Sequence, residues 1–222
     1  MFGLYCLLAL TVICAGSLMY YGWRNGITPM PSSPAAARTM IAAAEEEARR
    51  IKSSGTGNVV TEVAGDYLLS FRRQPGSGSL KVIDAGSGWG GLGLALAERM
   101  PYARIIGVEN SPLPFLCSFL RALLSSCSNV EFHYADFRRR DIAAADILLC
   151  YLYPAGMAQI AAALQRLPAD EAPTVISNTF ALPGRAADRS IPAGDSLFSP
   201  IYVYRPGRRA GGSLLSSGAQ SR

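Results

Sequence analysis

The chain has 222 residues, half of them hydrophobic, and a formal net charge of +5. This length allows one domain of ordinary size with an appendage, and the composition is sufficient for a buried core. The positive charge comes almost entirely from arginine, and no basic run interleaved with aromatic residues marks a nucleic-acid surface. We therefore expect no nucleic-acid partner.

The five cysteines and the single histidine, His133, exclude several kinds of site. No Cys-x-x-Cys pair or other metal-ligand spacing occurs, so the cysteines are expected to be free thiols in a reducing compartment. One histidine leaves no basis for a His-based metal site or a catalytic triad. The sequence accordingly predicts no bound metal.

The chain begins with an uncharged apolar segment, residues 2–21. As a helix it would be about 30 Å long, enough to cross the hydrocarbon core of a bilayer. Aromatic residues up to Trp23 lie where an interfacial belt belongs, and Arg24 closes the segment. The alternative is a signal peptide cleaved near Ala15–Gly16, which would need a positive region ahead of the apolar run. We predict a retained transmembrane anchor over residues 1–26.

The basic residues that follow, from Arg24 to Lys52, predict a single-pass membrane protein whose remaining chain is cytoplasmic. Residues 27–58 are predicted to be a flexible linker with one helix, Ala35–Lys52, whose charges form a solvated face. The main domain is expected over residues 59–205 and begins with a second helix, Val59–Arg73. The Gly/Ser/Arg-rich residues 206–222 are predicted to be a disordered tail.

The stretch Leu80–Met100 combines a predicted strand, a glycine turn and a helix. Glycines stand at every second position, at Gly86, Gly88 and Gly90. Such a turn brings a ligand against backbone N–H groups at the start of a helix, because glycine permits φ > 0 and lacks a Cβ. The spacing differs from the Gly-x-Gly-x-x-Gly of dinucleotide sites, and Asp84 would repel a pyrophosphate. An acid there suits a positively charged ligand, so an NAD site is the less favoured alternative.

This first motif, apolar-apolar-Asp-x-Gly-x-Gly-x-Gly, resembles that of class I S-adenosylmethionine-dependent methyltransferases. The resemblance implies an α/β fold with a Rossmann-like, mostly parallel sheet and S-adenosylmethionine as cofactor. Too little chain lies between Phe180 and Tyr204 for a full helix and two long strands, so we expect an abbreviated C-terminal end. The cofactor-binding residues that we predict are Asp84, Ala85, Gly86, Ser87, Gly88, Gly90, Glu109, Asn110, Asp136 and Phe137.

Two acidic residues follow the predicted second and third strands. Glu109 lies 19 residues beyond Gly90, close to where a carboxylate should reach the ribose hydroxyls. The resemblance implies that the Asp136 carboxylate accepts a hydrogen bond from the adenine amine and that Phe137 covers the adenine ring. The alternatives are a solvated loop acid for Glu109 and a turn acid for Asp136.

Three further residues lie near the carboxyl ends of predicted strands, at the edge where an open α/β sheet binds its substrate. Tyr151 and Tyr153 follow the apolar run Ile147–Cys150, and Asn178 lies in the fifth strand, Thr174–Phe180. We predict that these three side chains serve catalysis. For the tyrosines the alternative is packing in the core with the hydroxyl at the surface.

A narrower resemblance rests on the anchor together with Glu109–Pro112, Tyr151–Pro154 and Ser177–Phe180. The chain resembles the small membrane-anchored protein-lysine methyltransferases, which in mitochondria act on the ATP synthase c-subunit and the adenine nucleotide translocator. That resemblance covers roughly Val59–Arg205 and implies lysine methylation of a protein in or at the membrane. The anchor is expected to concentrate the domain at the bilayer without affecting cofactor binding. Small-molecule or lipid methylation, or cofactor binding without catalysis, are the alternatives.

Overall fold

The computed structural model describes residues 2–26, 32–54, 79–139, 142–195 and 199–207. The predicted helix Val59–Arg73 lies outside these residues, as does the predicted tail beyond Gly207. The helices are α1 Phe2–Asn25, α2 Pro34–Ser54, α3 Gly91–Arg99, α4 Pro112–Leu124 and α5 Pro154–Leu164. The strands are β1 Leu80–Ala85, β2 Ala103–Glu109, β3 Val130–Tyr134, β4 Ile147–Cys150, β5 Thr174–Asn178, β6 Arg189–Pro192 and β7 Pro200–Tyr204.

All seven strands form one sheet in the order β3-β2-β1-β4-β5-β7-β6. The first five strands are parallel, and β7 runs antiparallel to both β5 and β6. The strand order reverses between β1 and β4, so a crevice opens at their carboxyl ends, where open α/β sheets bind ligands. This confirms the predicted Rossmann-like sheet.

The C-terminal end of the sheet is short. No helix is described between β5 and β6, and β6 has only four residues. The chain instead passes through Pro183-Gly184 and returns as an antiparallel pair of strands at the sheet edge. The predicted abbreviated end is therefore confirmed.

The central strands are apolar on both faces because helices cover both sides of the sheet. Val82 and Leu149 point to the side covered by α2 and α3, whereas Ile83 and Leu148 point to the side covered by α5. This alternation follows from the two-residue period of a strand.

Helix α2 is packed into the domain along its length. Met40, Ala44 and Ala48 recur at every fourth position and are fully buried against the sheet, in one cluster with Leu149 and Ile176. Small residues at that spacing let the helix approach the strands closely. The helix expected to belong to a linker is thus part of the hydrophobic core.

One charged residue of α2 is buried, in contrast to the prediction that the charges of this helix form a solvated face. Glu47 is only 1% exposed, and its carboxylate accepts hydrogen bonds from Arg205 Nη2 at 2.6 Å and Arg50 Nε at 2.8 Å. Burial raises the pKa of Glu47, but the hydrogen bonds and positive charges of both arginines outweigh it and hold the pKa below its ordinary value. Burial of Glu47 depends on Arg205, which directly follows β7, and the helical periodicity of α2 could not predict this pairing.

The apolar side chains of α1 are largely exposed, as are several leucines of α4. Gly3–Asn25 is long and apolar enough to span a bilayer, and none of its most apolar stretch is buried in the protein. Gly22, near the C-terminal end, is buried, whereas Trp23 is 83% exposed. Helix α1 also contacts α4, and its partly buried residues begin at Cys14 and continue to Asn25.

Candidate active site

A pocket lies at the crevice between the carboxyl ends of β1 and β4. The ends of β2 and β4, the glycine turn after β1 and the turn after β3 contribute to its wall, and so does the last turn of α1. The topological switch point of the sheet thus coincides with a pocket, as expected for a ligand site in this architecture.

The three glycines of the turn all have positive φ, at 77°, 53° and 75°. A Cβ on Gly86 would lie 2.8 Å from Leu152 Cδ2, and one on Gly90 would lie 2.6 Å from Ser118 Cβ. Gly86 and Gly88 both line the pocket, but only at Gly88 of these three glycines does nothing lie within 4 Å of the Cβ position. Gly86 and Gly90 allow close packing of the turn, and Gly88 leaves a cradle for a ligand.

The amide groups of the turn are already used within the protein. Gly86 and Ser87 donate to the Val108 carbonyl at 2.9 and 3.0 Å, and Gly88 donates to Glu109 Oε2 at 2.8 Å. These three amides therefore fix the turn against β2. They do not point to a ligand, and the turn instead favours a ligand through the close approach of its backbone.

Asp84 lies beneath the turn and does not itself line the pocket. It is 4% exposed, and its Oδ2 atom has no hydrogen-bond partner among the described residues. Burial, together with repulsion from Glu109, raises the pKa of Asp84 to about 7. Ala85 is fully buried behind the turn, and the buried Ser87 hydroxyl likewise has no partner in the described part of the chain. Asp84 can therefore act on a ligand through its charge.

Glu109 is the acid that lines the pocket, together with Asn110. Its Oε2 accepts from the Gly88 amide at 2.8 Å, and its Oε1 accepts from the Ser111 amide at 2.7 Å. Each carboxylate oxygen can accept a second hydrogen bond, so two hydroxyl groups of a ligand can still be bound. The two amides hold the carboxylate in one orientation.

The turn after β3 places Phe137 in the pocket wall, but Asp136 is engaged elsewhere. The Asp136 carboxylate accepts from the Arg138 backbone amide at 3.0 Å and from Arg138 Nε at 2.7 Å. Arg138 lines the pocket in its place. An acid and a nearby arginine were both visible in the sequence, but their mutual pairing was not.

Tyr151 and Tyr153 both line the pocket, as the strand-end position predicts. Asn178 lies elsewhere on the sheet edge. It is 2% exposed and donates to Ser32 Oγ at 3.4 Å, and it is absent from the described wall of the pocket. The structure therefore brings two of the three predicted catalytic side chains together.

Cys150 immediately precedes Tyr151 but is fully buried. Burial and the nearby charge of Asp84 raise the pKa of its thiol. A thiolate at this position is strongly disfavoured, so Cys150 is not a nucleophile for the pocket.

Sequence reasoning missed the contribution of α1. Arg24 and Asn25 line the pocket beside Glu109 and Tyr153, and the Tyr21 and Tyr134 hydroxyls are 3.3 Å apart. The hydrogen bond to Tyr21, together with burial, raises the pKa of Tyr134 to about 12. Arg24 had been interpreted only as the boundary of a membrane segment, and no local pattern indicates that it faces a pocket.

Comparison with known proteins adds one sequence family. Residues 84–189 match the model of the ANTKMT methyltransferase domain. None of the curated proteins matches the chain.

Solved structures share the fold. An RNA methyltransferase from Salinibacter ruber in complex with S-adenosyl-L-homocysteine is 23% identical with a TM-score of 0.51, over 61% of this chain and 86% of that one. Monomeric WbdD is 15% identical with a TM-score of 0.53, over 82% of this chain and 43% of that one. At these identities the likeness concerns the fold, while the family model covers the glycine turn and the pocket acids.

Proposed function

We propose that this S-adenosylmethionine-dependent methyltransferase methylates lysine side chains of a membrane-associated protein, because residues 84–189 match the model of the ANTKMT methyltransferase domain. The observation that carries the proposal is the position of Tyr151 and Tyr153, which line the pocket where the membrane-length helix α1 ends. The acceptor would therefore approach two aromatic side chains beside the bilayer.

The pocket fits S-adenosylmethionine, which when bound supplies an electrophilic methyl group on a sulfonium. Gly88 leaves the space that a close ligand needs, and the second lone pairs of Glu109 suit the ribose hydroxyls. Phe137 offers an apolar surface for the adenine ring. The Asp84 carboxyl beneath the turn, whose Oδ2 atom has no hydrogen-bond partner among the described residues, suits a ligand that carries positive charge.

A lysine acceptor must lose its proton first, since an ammonium has no lone pair and its ordinary pKa is about 10.4. Tyr151 and Tyr153 form an aromatic wall, and partial burial there disfavours the charged amine. The same rings favour a methylated ammonium product through cation–π attraction. Two aromatic side chains therefore assist both deprotonation and product formation without a dedicated base.

The second support is the exposed apolar surface of α1. A bilayer would cover that surface, and Arg24 would lie at its boundary. The pocket would then lie at the membrane surface, because Arg24 also lines the pocket. Tethering raises the effective concentration of acceptors in the same membrane without any new contact.

The proposal is tested with the full-length chain in isolated membranes that contain its acceptors. Membranes are incubated with methyl-labelled S-adenosylmethionine, protein is separated from lipid, and the protein fraction is hydrolysed for amino-acid analysis. Label in methyllysine of a membrane protein supports the proposal. Label in lipid or in a small molecule, or no product at all, contradicts it.

A matched pair of variants tests the aromatic wall. Tyr153→Phe keeps the ring and should retain most of the turnover on a lysine peptide, whereas Tyr153→Ala should lower kcat by about 10- to 100-fold. S-adenosylhomocysteine affinity, measured by calorimetry, should change less than kcat in both variants. Equal activity of Tyr153→Ala and wild type would remove Tyr153 from the proposed acceptor site.

A further inference from the structure

We propose that the last turn of α1 is a wall of the cofactor pocket and that Asn25 is a positioning residue for the donor. The apolar helix thus has a second role beyond anchoring. This inference concerns donor binding and is independent of which acceptor the enzyme uses.

The first observation is a reciprocal pair of amide hydrogen bonds. Asn25 Nδ2 donates to Asn110 Oδ1 at 2.9 Å, and Asn110 Nδ2 donates to Asn25 Oδ1 at 3.0 Å. Asn25 Nδ2 also donates to Ser111 Oγ at 3.2 Å. A side chain on the apolar helix therefore holds both residues that follow Glu109.

These two residues are directly connected to the predicted ribose-binding acid. Ser111 donates its backbone amide to Glu109 Oε1 at 2.7 Å, and Asn110 lines the pocket beside Glu109. Movement of Asn110 and Ser111 would change both the wall of the pocket and the orientation of the carboxylate. Asn25 consequently acts on the donor site through Asn110 and Ser111.

The second observation is the close packing of Gly26 on the pocket. Gly26 ends α1 with φ 71°, and a Cβ there would lie 2.7 Å from Tyr153 Cε2. Its amide donates to the Trp23 carbonyl at 3.3 Å. Glycine suits this left-handed backbone and its close contact with the tyrosine ring, so the helix end lies directly against Tyr153.

The third observation is where α1 is attached. Its hydrogen bonds to the described domain come from Tyr21 and Asn25, and its buried residue is Gly22. A helix that served only as a tether would not need the hydrogen bonds of Asn25 to Asn110 and Ser111, which line the pocket. This differs from our expectation that the anchor is separable from cofactor binding.

The test uses the full-length chain in nanodiscs and the dissociation constant of S-adenosylhomocysteine, measured by calorimetry. Loss of these neutral hydrogen bonds in Asn25→Ala should weaken binding by about 3- to 10-fold with the thermal midpoint unchanged. Trp23→Ala, two residues away on an 83% exposed side chain, is the matched control and should stay within about twofold of wild type.

A double-mutant cycle shows whether the effect passes through Asn110. If it does, Asn25→Ala combined with Asn110→Ala should weaken binding by less than the product of the two single effects. The proposal would be overturned if the double variant weakened binding by the full product of the two single effects. It would also be overturned if Asn25→Ala bound S-adenosylhomocysteine as tightly as Trp23→Ala does.

Hydrogen exchange on the wild-type chain gives a result that does not depend on any variant folding. S-adenosylhomocysteine should slow exchange of the backbone amides at residues 24–26 while leaving those near Leu8 unchanged. Unchanged exchange at residues 24–26 on saturation would likewise overturn the proposal.

Discussion

The two helices that precede the sheet have similar lengths and opposite relations to the protein. Met40 of α2 is 0% exposed against the sheet, whereas Met19 of α1 is 75% exposed. The stability of α2 comes from packing its apolar face into the core. The described domain covers α1 only in part, and several apolar side chains from Leu4 to Ile13 stay exposed. One helix holds the fold together, and the other connects the pocket to its surroundings.

The buried acid of α2 also differs from the buried acid of β1. Glu47 on α2 is paired with Arg205 and Arg50, whereas Asp84 on β1, near the pocket, has one oxygen without a partner among the described residues. A structural charge is neutralised within the chain, and a charge at the site is left for a ligand.

The largest expected effect compares the two methionines. Met40→Ala creates a cavity between α2 and the sheet and should lower the free energy of unfolding by about 2–4 kcal/mol. Met19→Ala leaves no cavity in the domain and should change it by less than about 0.5 kcal/mol. Chemical unfolding in detergent, followed by fluorescence, measures both, and similar values would remove the distinction between the helices.

The next effect concerns the charges of α2. Glu47→Ala removes the buried partner of Arg205 and should cost about 2–3 kcal/mol of unfolding free energy. Glu46→Ala, on the same helix, breaks only an exposed ion pair with Arg189 and should cost less than about 1 kcal/mol. The same unfolding measurement applies, and a Glu47→Ala loss no larger than that of Glu46→Ala would contradict the buried ion pair.

Removing the Asp84 carboxyl should have the opposite effect to removing that of Glu47, because the ionised form of Asp84 destabilises the folded chain. Because its pKa is about 7 in the folded chain and near 3.8 when unfolded, the folded state binds more protons between these values. Stability should therefore fall as pH rises from about 4 to 7 and level off above. In Asp84→Asn this fall should be absent. The unfolding free energy of the variant, relative to that of wild type, should therefore be higher at pH 8 than at pH 5 by about 1–2 kcal/mol. An unchanged pH profile would show that the carboxyl is ionised throughout.

The same group should control donor affinity. A positively charged donor favours the ionised form of Asp84, so affinity for S-adenosylmethionine should weaken by up to about tenfold per pH unit below pH 7. In Asp84→Asn that dependence should disappear, although affinity at pH 8 should be lower than in wild type. Calorimetry at several pH values checks this, and a flat wild-type profile would remove the role of Asp84 in binding.

Local sequence patterns were sufficient to predict individual strands and the glycine turn, and the resemblance of the first motif implied the mostly parallel sheet. Continuous apolar runs such as Ile147–Cys150 and the glycine turn around Gly88 are properties of a few neighbouring residues. The positions of Glu109 and Tyr153 followed from the same patterns, since strand ends in an open α/β sheet meet at one edge. Both residues line the pocket.

What could not be predicted depends on contacts between distant parts of the chain. The amides of Gly86 and Ser87 bind the Val108 carbonyl, and Glu47 finds Arg205, far along the sequence. Asn25 reaches Asn110 across 85 positions. Asn178 follows the pattern of a strand-end site residue, yet it is held beside Ser32. Pairings of this kind are decided by tertiary packing, which periodicity does not contain.

The central claim is that α1 places the pocket at the surface of the membrane that holds the acceptor. It is tested most directly with full-length enzyme and a lysine-bearing transmembrane peptide in proteoliposomes. The peptide is placed either in the same vesicles as the enzyme or in separate vesicles, at equal total concentrations. We expect methyllysine to form at least about 100-fold faster in the shared vesicles, because tethering raises the effective concentration. Equal rates in the two arrangements would contradict the claim.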